Sequence, residues 1–129
     1  METIHIYHTN DIHSHFENWP QINRLLIDKR LEHEAAGDAF YLFDIGDNVD
    51  RSHPFTEGTA GKGNIRLLNE AGYDAVTIGN NEGITMSKEA LSTLYEDAEF
   101  DVILGNLVDL DGESPNWAIE YQIYETNRG

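Results

Sequence analysis

Apolar and polar positions alternate with a period of two at the start of the chain. Between Thr3 and Thr9, Ile4, Ile6 and His8 stand against His5, Tyr7 and Thr9, the pattern of a β-strand. The period then lengthens. From Trp19 to Ala36 the residues Ile22, Leu25, Leu26 and Ile27 fall at helical spacing, with Asn18 as cap, Pro20 in the first turn and Gly37 just past the end. "AFYLFDI" is a continuous apolar run that breaks off at "GDN", as a buried parallel strand does. A polar, glycine-bearing loop from Gly46 to about Gly61 follows, and "GNIRLLNEAG" then predicts a short helix stopped by Gly72. "YDAVTI" and "FDVILG" predict two more buried strands, separated by a Ser87 to Tyr95 helix that Thr85 or Ser87 caps. Near the end "NWAIEYQIYE" alternates Trp117, Ile119, Tyr121 and Ile123, which predicts a half-buried strand, and "TNRG" predicts a hairpin turn.

The order β-α-β-α-β-α-β predicts an α/β protein, a largely parallel sheet of βαβ units flanked by helices. At 129 residues the chain amounts to one domain or a piece of one. No apolar run approaches the roughly 20 residues of a spanning helix, and Met1 leads almost directly into the first strand without the marks of a signal peptide. The expected setting is therefore cytoplasmic, with no membrane partner. Without cysteine, any metal must be held by oxygen and nitrogen. The net charge of −16, from 24 acidic against 8 basic residues, speaks against a nucleic-acid-binding surface. It also repels phosphate-bearing substrates at long range unless bound cations reverse the local field.

Ligands of open parallel sheets bind outside the carboxyl ends of the strands. The four predicted strands end in "NDIHSH", "IGDNVDRSH", "IGNNEG" and "LGNLVD". Asp11 and His13, two apart in a segment read as extended, project to one side and can chelate a cation. Asp47 follows the second strand, where a carboxylate can bridge two ions, and Asn80 offers a neutral carbonyl oxygen after the third. Gly46 and Gly79, each directly before a candidate ligand, permit sharp turns and close backbone approach. Taken singly each of these is ordinary cap or turn chemistry; their succession at three strand exits is what points to a site. His5 and His8 are read as structural and His33 as solvated, and Tyr41, Phe43, Tyr121 and Tyr124 as packing residues.

D-x-H, then G-D-N, then G-N-[HN]-E at successive strand ends resembles the first half of the calcineurin-like metallophosphoesterase superfamily, and "HTNDIHSHF" resembles the opening motif of its 5′-nucleotidase branch. The likeness covers essentially the whole chain. "GDNVDR" is also similar to a motif of the phosphoprotein phosphatases, which keeps that substrate class open. The resemblance implies the first half of an αββα sandwich, with residues 1–129 as the N-terminal portion of a catalytic domain whose remainder is absent from this chain. It implies two divalent ions, Mn, Zn, Fe or Mg, with Asp11 and His13 on the first, Asp47 between them and Asn80 on the second. A metal-bound hydroxide would then hydrolyse nucleotide or related phosphomonoesters, with Arg51 holding the phosphate.

Two departures from the family stand out. Asn81 and Ile84 occupy the places of the family's catalytic histidine and its orienting aspartate. An amide donates a hydrogen bond but supplies no proton near neutral pH. General-acid help is worth roughly 10² to 10⁴-fold, so the change predicts slower hydrolysis or another acid, for which His15 and His53 are the candidates. No histidine follows His53, so the family's remaining histidine ligands are not within these residues. Alone, the chain is expected to hold one metal loosely, to dimerise through an exposed sheet edge, or to do no chemistry. The competing readings are a non-catalytic metal-binding domain of the same fold and a phosphoprotein-phosphatase-like enzyme. A dinucleotide-binding domain fails because no G-x-G-x-x-G follows the first strand.

Overall fold

The computed structural model describes residues 2–126. Four strands form one sheet in the order β1-β2-β3-β4, all pairs parallel. They are β1 (Ile4–Thr9), β2 (Ala39–Asp44), β3 (Ala75–Val76) and β4 (Asp101–Val102). Helix α1 (Trp19–Ala35) connects β1 to β2, α2 (Pro54–Thr59) and α3 (Lys62–Ala71) connect β2 to β3, and α4 (Asn80–Gly83) and α5 (Lys88–Leu94) connect β3 to β4. Ser87, not Thr85, caps α5 through its hydroxyl, and Gly72 ends α3 at φ +73°.

The helices cover one face of the sheet. Phe40, Leu42 and Val76 pack there with Trp19 and Leu26 of α1, Ile65 and Leu68 of α3, and Leu91 and Leu94 of α5; Leu42 is wholly buried. The register of β1 on β2 puts Tyr7 opposite Leu42 and Thr9 opposite Asp44, so the odd-numbered residues of β1 are the ones that face the core. Ile4 and Ile6, the apolar half of the alternation, lie on the other face at 53% and 63% exposure. Apolarity alone does not mark the inner face of this strand, because Tyr7 is half-buried on the helix side while its hydroxyl reaches His33.

The tail differs from expectation. Residues 117–123 form no strand; a single parallel bridge links Ile119 to Ile103, and Tyr121 and Ile123 are exposed. The segment instead runs across the second face, where Tyr124 meets the rings of Tyr41 and Phe43 and the Tyr41 hydroxyl donates to the Glu125 carbonyl. The expected "TNRG" turn lies largely outside the described residues. The long loop after β2 contains a helix the sequence reading left out, α2, started by Pro54 and ended by Ala60 in the left-handed region.

Candidate metal centre

The loops that leave β1 and β2 are fastened to each other by main-chain hydrogen bonds. The amides of Asp11, His13 and Ser14 donate to the carbonyls of Gly46, Asp47 and Asn48 at 3.0, 3.0 and 2.9 Å. To fit this ladder Asp11, His13, Ser14 and Asp47 take left-handed backbone angles, with φ of 53°, 47°, 55° and 55°. Aspartate and histidine visit that region more readily than most residues, yet each such position still costs about 1–3 kcal/mol. Asp11 and His13 therefore converge through a turn, not through the extended alternation expected of them.

The turn brings together three donors. His13 Nε2 lies 3.5 Å from Asp11 Oδ1 and 4.0 Å from Asp47 Oδ2, and one donor atom from each residue falls within 4.8 Å of the others. The group is open on one side: the side chain of Asp11 is 60% exposed, that of Asp47 only 15%. The Asn10 amide, with His13 nearby, holds the Asp11 carboxyl below the usual aspartate range. Two carboxylates and an imidazole make a donor set that suits a hard or borderline divalent cation, and these residues fit one.

Beneath this group the loops after β2 and β3 approach each other closely. Gly46 has φ +106°, and a Cβ there would sit 2.7 Å from the Gly79 nitrogen; a Cβ on Gly79 would lie 2.1 Å from Asp47 Oδ1. Both glycines are thus required for the reason the sequence suggested. Between the loops sits Glu82, 1% exposed, whose carboxylate accepts from the amides of Gly79 (2.9 Å), Asp47 (3.2 Å) and Val49 (2.8 Å). Sequence reading missed its role, although a glutamate three residues after Gly79 is the capping-box position of a helix start. A second buried set was also missed: the Ser14 hydroxyl bonds Thr56, Asn64 and the Asp50 amide, tying the first loop to α2 and α3. Asp44, at the end of β2, is buried beside them, and burial pushes its carboxyl up to about 6 against the opposing hydrogen bonds from Thr9 and Gly46.

The other candidate residues fall around this core. The Asn81 amide nitrogen lies 2.7 Å from His13 Nδ1, its backbone N–H donates to Asp47 Oδ1 at 2.8 Å, and its side-chain oxygen accepts from Asn80 at 3.3 Å. Asn80, exposed, thus reaches the group through Asn81. Arg51 donates to the Thr85 carbonyl and bridges the loops after β2 and α4. His53 caps α2, accepting the Phe55 amide on Nδ1 at 3.3 Å, with its ring against Phe16. His15 is exposed and pairs with Glu17 at 3.3 Å. Neither ring is part of the Asp11, His13 and Asp47 group.

The fold is that of an α/β protein with two carboxylates and a histidine clustered at the carboxyl ends of parallel strands. No protein-family model matches the chain. It is 50% identical over 128 residues to an uncharacterised metallophosphoesterase, YunD of Bacillus subtilis (strain 168), a match over 99% of this chain and 28% of that protein. Among solved structures it is similar to the NAD nucleotidase NadN of Haemophilus influenzae, with TM-score 0.80 and 20% identity over 95% of this chain and 24% of the other. It is also similar to the sulfate thiohydrolase SoxB of Thermus thermophilus, with TM-score 0.71 and 24% identity over 82% of this chain and 19% of the other. Over nearly its whole length the chain is thus related to a metallophosphoesterase, and it spans a little over a quarter of that relative. Among the described residues no helix is long and apolar enough to cross a membrane.

Proposed function

We propose that the chain forms the first part of the metal site of a phosphoesterase acting on nucleotides or related phosphomonoesters, and that residues outside it complete a two-ion centre. The observation that carries this reading is the meeting of Asp11, His13 and Asp47 at the ends of β1 and β2, on backbone held in unfavourable angles. A centre of that kind supplies Lewis acidity and an activated water when its ions are bound. The chain's own residues would hold and orient: Asp11, His13 and Asp47 would grip one ion, Asp47 would also face a second, and Asn80 would offer that second ion its side-chain oxygen. Arg51, next to this rim, binds the substrate phosphate. Asn81 is engaged by His13 and serves to position that ring, so it does not act on the leaving oxygen.

With no proton donor at Asn81, the reaction depends on the leaving group, and aryl phosphates turn over faster than alkyl ones. His15, whose ring no backbone group holds, is the candidate acid, while His53 is occupied as a helix cap. The same lack of an acid favours a second reading, a metal-binding domain without catalysis.

The test is the number of Mn²⁺ ions retained per chain after desalting, for the wild type and Asp47→Asn, followed by assays of 5′-AMP against a phosphopeptide on the longest gene product that carries the chain. Ions lost on substitution together with AMP hydrolysis support the proposal. Retention of Mn²⁺ by Asp47→Asn would remove Asp47 from the site. Turnover of the phosphopeptide alone would move the protein to the phosphoprotein phosphatase class, and metal binding with neither activity would favour the non-catalytic reading.

A further inference from the structure

Two histidines that the sequence suggested were structural or solvated meet an aspartate at the opposite end of the sheet. His5 projects from β1, His33 from the last turn of α1, and Asp38 from the connection into β2; one donor atom from each lies within 4.8 Å of the other two, and all three side chains are half-buried. His5 Nε2 is 3.2 Å from Asp38 Oδ2. The rings of His5 and His33 stack 3.5 Å apart at 14°. At about 3.3 Å per residue, the four steps from His5 to Thr9 alone put about 13 Å between this cluster and the loops that carry Asp11.

We propose that His5, His33 and Asp38 form a second cation site, one that takes a borderline transition ion such as Zn²⁺, Ni²⁺ or Cu²⁺ and clips α1 to the starts of β1 and β2. Two imidazoles and one carboxylate select for such ions over Mg²⁺ and Ca²⁺, which prefer oxygen throughout. The arrangement has the outer contacts that orient metal ligands in built sites. The Thr3 amide donates to Asp38 Oδ1 at 2.9 Å, leaving Oδ2 toward the histidines, and the Tyr7 hydroxyl lies 3.1 Å from His33 Nε2. The last turn of α1 presents its carbonyl ends here, which favours positive charge. The nearby ammonium of Lys29 is already engaged by Glu32 at 2.6 Å. Parallel stacked rings point their lone pairs side by side, so closing on one ion turns one ring out of the stack.

This site is independent of the phosphoesterase reading, and the experiment separates the two. Zn²⁺ is titrated into the 129-residue chain near neutral pH while the histidine ring nitrogens are followed by NMR, with assignments from single His→Gln variants. The expected result is that the His5 and His33 signals move together, that millimolar Mg²⁺ leaves them in place, and that the joint shift is lost in His33→Gln while the His13 response persists. Asp38→Asn keeps an acceptor for Thr3 and is the second test should His33→Gln unfold; it too should lose the joint shift. The proposal is overturned if Zn²⁺ moves His13 and leaves His5 and His33 unchanged, or if His5 still responds in full in both variants.

Discussion

The side-chain amide of Asn81 sits 2.7 Å from Nδ1 of His13, and Asn80 in turn donates to the Asn81 oxygen. An amide nitrogen only donates, so in this arrangement Nδ1 accepts and the proton is on Nε2, the nitrogen that faces Asp11 and Asp47. Reversing the Asn81 amide alone lets Nδ1–H donate to the Asn81 oxygen and releases the Asn80 side chain from its bond to that oxygen. That frees Nε2 for an ion. The Asn81 amide thus has two orientations on His13, and ion binding selects one.

Asn81→Ala should therefore weaken Mn²⁺ binding by roughly 10 to 100-fold, the usual cost of losing an outer partner of a histidine ligand, with little change in thermal stability. Isothermal titration and a melting curve check this. An unchanged affinity would show that the His13 ring is held without Asn81.

Gly79→Ala should be costly although its backbone angles suit any residue. The added Cβ would overlap Asp47 Oδ1, at 2.1 Å, so either Asp47 or the loop must move. A loss of about 1–3 kcal/mol in urea denaturation is expected, together with loss of Mn²⁺ binding. Gly37→Ala, where a Cβ meets nothing within 4 Å but φ is +80°, serves as a control that should lower stability and spare the metal.

Glu82 holds three amides from two loops. Glu82→Gln leaves a single acceptor oxygen among donors that expect two, and should destabilise the fold by about 2–4 kcal/mol. The same variant should also loosen Asp47, visible as weaker Mn²⁺ binding in the fraction that remains folded.

Asp44 gives a pH signature. Its carboxyl is raised from 3.8 to about 6 in the folded chain, so between those values the folded state keeps a proton that the unfolded state has lost. Stability from this group falls as pH rises through that window, by about 3 kcal/mol in all. Asp44→Asn, which keeps an acceptor for the Gly46 amide while the Thr9 hydroxyl can turn, should flatten the curve there. Urea denaturation in the presence of a chelator, from acid to neutral pH, measures it as the difference between the two proteins. Parallel curves would place the raised carboxyl elsewhere.

Much of the fold is legible because its strands end abruptly. "GDN" and "GNN" each follow an apolar run, and parallel order brings those ends together, so Asp11, His13 and Asp47 could be grouped before any geometry was known. Glu82 and Ser14 were harder, since Glu82 is held by backbone amides and Ser14 by Thr56, Asn64 and the Asp50 amide, partners from distant segments that no local pattern records. The inner face of β1 is not legible from apolarity, because Tyr7 and Thr9 serve both core and polar network, whereas Ile4 and Ile6 lie on a face the helices leave open. The cluster of His5, His33 and Asp38 spans 33 residues and depends on how α1 packs back on β1, which periodicity does not give.

The main-chain ladder from Asp11, His13 and Ser14 to Gly46, Asp47 and Asn48 prolongs the β1–β2 pairing beyond the last strand residues. An ion held by Asp11, His13 and Asp47 would then act as a rivet through the seam between β1 and β2. Its release would be slow and would track the opening of that seam, so the dissociation rate of the metal would double as a gauge of how often the two strands part.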